Sequence, residues 1–147
     1  MAVARPAVHF FARQYPPSMP TPVAGSRSAA AFAVLLTIAF GLAVRRFIGG
    51  AIGEHLGNVA WGVMWVFIVY TLTLRARVAA VGAFCIVVAI ECFQLTPYPA
   101  AWGARSVVAR YLLGGAFEVR DLVGSAVGVA LAWWLCARGW LGTSSRT

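Results

Sequence analysis

Val78–Leu95 reads VAAVGAFCIVVAIECFQL. No charge or side-chain amide interrupts it before Glu91, and Gln94 follows three residues later. A helix of this length and character reaches across a bilayer, which takes about 20 residues and tolerates about 17 when flanking side chains snorkel. Ser28–Val44, Asn58–Leu74 and Asp121–Ala137 have the same character. Composition agrees: the 147 residues are 61% hydrophobic and 11% charged, with a mean hydropathy of +0.82. Soluble domains are about half apolar and a quarter charged, so lipid is the expected solvent. The expected fold is all-α, an integral membrane bundle of four transmembrane helices with a short interfacial or re-entrant helix before the last.

Around this membrane domain, taken as 28–138, lie two tails. Residues 1–27 hold Pro6, Pro16, Pro17, Pro20 and Pro22 among polar residues, a composition that resists helix and core alike and reads as a flexible tail. Residues 139–147 form the C-terminal tail. The run 29–44 is long and late for a signal-peptide core and an Arg pair follows it, so it reads as a retained span. The second and third spans are joined only by Arg75-Ala76-Arg77, which makes them a tight hairpin. Residues 96–120 carry Pro97, Pro99, three arginines and Glu118. They are expected to hold one short helix near 100–113, with Trp102 and Tyr111 at headgroup depth.

All twelve cationic residues are arginine, against four acids. They stand at the ends of apolar runs, as membrane boundaries require, and not in the clusters of a nucleic-acid surface. Four spans put seven arginines on the side of both termini and five on the other, so both termini are expected in the cytoplasm. Cys85, Cys92 and Cys136 lie within apolar runs without metal-ligand spacing and read as small buried hydrophobes.

The same span count gathers Asn58, Glu91, Gln94, Arg105 and Asp121 at one membrane face. Glu91 and Gln94 share a side of their helix. Asp121 shares a stripe with Gly124, Ser125, Gly128 and Ala132, and small residues at that spacing let helices approach closely. Glu91 is expected to pair with Arg105, or else with Arg110 or Arg120, since a guanidinium grips a carboxylate in two-pronged fashion. Asp121 also fits the role of a helix N-cap. His55 and Glu54 read as solvated residues of a Gly-rich loop, and Trp61 and Trp65 as packing or interface aromatics.

Five segments carry a resemblance: Gly57-Asn58-Val59-Ala60-Trp61, Glu91-Cys92-Phe93-Gln94-Leu95, Arg105, Leu112–Phe117, and Asp121-Leu122 with Gly128. In this order the chain resembles the VanZ-like small bacterial membrane proteins, and more closely a related family of unknown function numbered 2809. The resemblance implies a multi-pass protein of the bacterial cell (inner) membrane. Where the family commonly has Asp after the first glycine this chain has Asn58, so a three-carboxylate metal site is not expected, nor is a cofactor.

No nucleophile–base pair, phosphate loop or metal-spaced Cys/His cluster is present in the sequence, and catalytic residues stay unassigned. The polar cluster fits either a structural clamp fixing helix register or a site for a lipid or envelope headgroup. The leading expectation is a non-enzymatic membrane protein whose partner is membrane lipid, with another membrane protein or a second copy as further partners and no nucleic acid. The alternatives are an intramembrane enzyme acting on a lipid-linked substrate through Glu91 and Asp121, or a small proton-coupled transporter relaying through Glu91.

Overall fold

A computed structural model describes residues 26–114 and 117–141. Among them are six helices and no strand: α1 (Arg27–Phe47), α2 (Gly50–Thr73), α3 (Ala76–Gln94), α4 (Tyr98–Arg105), α5 (Val107–Leu113) and α6 (Val119–Ala137). Helices α1, α2, α3 and α6 are long and apolar enough to cross a membrane. The proline-rich stretch read as a tail lies, for 1–25, outside the described residues, as does 142–147 of the C-terminal tail.

Local chemistry sets the helix boundaries. The Ser26 hydroxyl accepts from the Ala29 amide and opens α1, while Arg45 and Arg46 sit in its last turn, where the helix dipole favours cations. Gly49 and Gly50 then adopt φ of +60° and +57°, which side-chain-bearing residues rarely do, and turn the chain directly into α2. That helix starts eight residues earlier than its apolar run. Glu54 and His55 therefore belong to the opening turns of α2 and not to a loop, because a helix needs high hydropathy only inside the hydrocarbon and is free to continue through the headgroups. Leu74 in the left-handed region and Arg75 in extended backbone make the short turn into α3.

The connection 96–120 also differs from expectation. Instead of one helix it holds two, broken at Ser106 (φ −142°, ψ 122°), whose hydroxyl accepts from the Ala109 amide and caps α5. Serine is favoured at a cap because its oxygen satisfies an amide that the first turn leaves free. The bare Gly103 lies against the Arg110 backbone, so α4 and α5 pack side by side.

Helix α2 is the centre of the bundle, touching α1, α3 and α6, and α3 also touches α6. Its contact with α6 is backbone on backbone: Gly62 faces Ser125, and Gly128 faces Val59 and Val63. Apolar packing concentrates in one half of the bundle, around Val66, Phe67 and Tyr70 of α2 with Ala83, Val129 and Ala132. The Ser26 amide donates to the Leu141 carbonyl at 2.9 Å, which puts the start of α1 and the end of α6 at the same end. Cys136 is buried, whereas Cys85 and Cys92 are exposed. An apolar side chain on a membrane helix has no need of a protein interior, since lipid serves equally well.

Candidate functional site

The polar half of the bundle is organised by Gly57 and Asn58. Arg45 of α1 lies across the bare backbone of Gly57, where a Cβ would meet the Arg45 Cγ at 3.1 Å. This brings Arg45 Nη2 within 3.0 Å of Asn58 Oδ1, to which it donates. Asn58 Nδ2 in turn donates to Asp121 Oδ1 at 2.6 Å. An amide is suited to this place because it accepts from a cation with one end and donates to a carboxylate with the other. The Asn58 carbonyl also accepts from Ser125 Oγ at 3.3 Å. One buried residue thus ties α1, α2 and α6 together, and Gly124, against the Asn58 Cβ at 3.0 Å from where its own Cβ would be, keeps the path open.

The other candidates are placed differently. Glu91 is buried on α3, 5% exposed, and its Oε2 has no hydrogen-bond partner among the described residues. Arg105 is exposed at the end of α4 and makes no described contact with Glu91. Arg110 directs its Nε to the Gly103 carbonyl at 3.2 Å, and Arg120 pairs with Glu118. Gln94 Nε2 donates to the Leu113 carbonyl at 2.7 Å, which fastens the end of α5 to α3. Asp121 is not an N-cap. That position is Glu118, and the Asp121 carboxylate is used by Asn58 instead. Gly128 and Ala132 are buried in the bundle, and Trp61 meets Trp65 edge to face at 5.6 Å. Phe93, Tyr98 and Trp102 form a cluster with centroids 5.7–6.4 Å apart; Tyr98 and Trp102 are exposed, as headgroup-depth aromatics are.

Beside the Arg45–Asn58–Asp121 chain opens a cavity of about 470 Å³. Its polar lining is Arg45, Glu54, Asn58, Arg110, Glu118 and Asp121, with Tyr111 and several glycines completing the wall. A second, apolar groove of about 310 Å³ runs between α5 and the α1–α2 pair, along Ile38, Leu42, Ala60, Met64 and Val108. Arg45 and Tyr111 line both. The arrangement offers guanidinium donors, carboxylate acceptors and an amide in a half-open space. Among the described residues no three His, Cys, Asp or Glu side chains gather as metal ligands would. Arg45, Glu54 and Tyr111 were missed as site residues by sequence reasoning. The available signal was Gly57 itself, a bare helical position one residue before a polar one, which is how a helix makes room for a neighbour's long side chain.

No curated protein and no solved structure matches the chain. The family model described as Protein of unknown function (DUF2809) matches residues 47–129. That segment runs from the end of α1 through Gly57-Asn58, Glu91, Gln94 and the α4–α5 pair to Asp121 and Gly128, more than half of the 147 residues, and on this match the chain belongs to the DUF2809 family.

Proposed function

We propose that this is a non-enzymatic integral membrane protein that binds a lipid or envelope headgroup in the cavity beside Asn58. The observation that carries the reading is the cavity's lining: polar side chains of α1, α2, α5 and α6 converge on one space at one end of the bundle. A clamp alone needs the Arg45–Asn58–Asp121 chain but has no use for Arg110, whose terminal nitrogens make no described hydrogen bond. In native mass spectrometry of protein extracted with its lipids, Arg110→Gln is expected to lower lipid occupancy several-fold while leaving the melting temperature within a few degrees. Unchanged occupancy on the folded variant would leave the clamp as the whole account.

Within this proposal the α4–α5 pair is a shallow re-entrant element. Val107 and Val108 line the same groove as Thr37 and Ile38, near the middle of α1. The kinship with VanZ-like proteins, which rests on the motif order, and the placement in a bacterial inner membrane belong to the same reading. Seven arginines on the side of both termini against five favour the outer face for the cavity. Reporter fusions after Arg77 and Gly139 are expected to read cytoplasmic and one after Trp102 external. Uniform inversion would move the site to the inner leaflet, and opposite readings at Arg77 and Gly139 would refute four spans.

A further inference from the structure

We infer that the occupant is a phospholipid with a primary ammonium in its headgroup: the phosphate at Arg45 and Arg110, the ammonium at Glu54 and Asp121, and one acyl chain in the apolar groove. This rests on the headgroup reading above and narrows it to one chemistry. Along α2 the linings follow a fixed order. Ala60, Trp61 and Met64 line the groove, Gly57 carries Arg45, and Glu54 lies one turn further out on the same face. Four residues of helix separate Glu54 from Asn58, about 6 Å. Chain, phosphate and ammonium come in that same order in an aminophospholipid.

Charge complementarity points the same way. A purely anionic headgroup would leave Glu54 and Asp121 facing like charge. Glu118 is engaged by Arg120, but Glu54 makes no described hydrogen bond or ion pair, and Asp121 uses only Oδ1 on Asn58. An ammonium brings three N–H donors to these carboxylates, whereas a quaternary ammonium brings none. Two guanidinium groups suit a phosphate. The groove reaches from Arg45 to Thr37 along α1, eight residues or about 12 Å. That fits within one leaflet, about half of the ~30 Å hydrocarbon core. Because a chain leaving the groove enters other hydrocarbon, the groove contributes by packing and shape and not by the hydrophobic effect.

The test is native mass spectrometry of the detergent-solubilised protein with equimolar palmitoyl lysophosphatidylethanolamine, lysophosphatidylglycerol and lysophosphatidylcholine. The ethanolamine lipid is expected to be retained several-fold over the other two. Glu54→Gln removes its advantage over the glycerol lipid. Val108→Trp, which fills the groove from an exposed position of α5, lowers retention of the ethanolamine lipid several-fold. Equal or better retention of the glycerol or choline lipid by the unaltered protein overturns the ammonium assignment, and full retention by a folded Val108→Trp overturns the chain assignment. Either result leaves headgroup binding intact; that reading falls only if Arg110→Gln holds all three lipids as the unaltered protein does.

Discussion

Asn58→Leu is expected to lower the melting temperature in detergent by roughly 10 °C, the equivalent of about 3 kcal/mol for a domain of this size. Leucine keeps the volume but removes both side-chain hydrogen bonds, the one accepted from Arg45 at 3.0 Å and the one donated to Asp121 at 2.6 Å. Hydrogen bonds to charged groups contribute about 1.5–3 kcal/mol each in water-soluble proteins. Interhelical polar contacts in membranes average nearer 0.6 kcal/mol, because the dissociated helices find other partners. The larger figure applies here because Asp121 would be left half-buried against an apolar side chain with its partner gone. Glu91→Gln makes the informative comparison. Glu91 is buried on the same end of the bundle, yet no described cation faces it, so this near-isosteric change is expected to cost less than about 1 kcal/mol. Equal losses in a thermal melt would mean that the residue holding the helices together has been misidentified.

Gly128→Ala should be, with Gly62→Ala on the facing helix, among the most damaging additions of a single methyl group. Its Cβ would stand 3.0 Å from the Val59 carbonyl carbon and from the Val63 nitrogen, and closer still to the Val59 oxygen. These are backbone atoms of the central helix and have no rotamer by which to give way, so α2 and α6 must part. Overpacking of this kind costs about 1–3 kcal/mol. The damage also reaches the site, since the same two helices carry Asn58 and Asp121, and lipid occupancy should fall with stability. Gly41→Ala is the control: its Cβ would meet the Ala60 Cβ at an ordinary 3.4 Å. Alanine also has the higher helix propensity, by about 0.8–1 kcal/mol, so that variant should melt at or above the starting temperature. If Gly128→Ala and Gly41→Ala melt alike, the close α2–α6 contact is not what holds the bundle.

The difference between these two glycines shows how much could be read in advance. Spans were legible because hydrocarbon imposes a length and a composition on any helix that crosses it. The tight turn after Leu74 was legible because its arginines leave no room for a longer link. The stripe of Gly124, Ser125 and Gly128 was visible as a spacing, but nothing in one sequence names the helix it meets. The early start of α2 was hidden by Glu54, His55 and the glycines around them, which resemble loop in composition and are helix in fact. The break at Ser106 carried a signal, a serine before a run of apolar residues, that was outweighed by the apparent continuity of 100–113.

The partner of the buried polar residues was the hardest to read. Arg105 stands near Glu91 in the sequence and Arg45 does not stand out, since a pair of arginines at the end of a span is common interface chemistry. Its engagement with Asn58 depends on the α1–α2 turn at Gly49-Gly50 and on the missing side chain of Gly57, and both are properties of packed helices.

The central claim, a lipid seated with its headgroup beside Asn58 and its chain between α1 and α5, is tested most directly by photo-crosslinking. Protein reconstituted with a phosphatidylethanolamine carrying a diazirine in its acyl chain would be irradiated and its adducts mapped by mass spectrometry. Adducts are predicted to concentrate on the groove at Ile38, Leu42, Val108 and Leu112, and to fall several-fold there in Arg45→Gln. Adducts spread evenly over lipid-facing positions such as Phe84, Val127 and Leu131, and indifferent to Arg45→Gln, would contradict it.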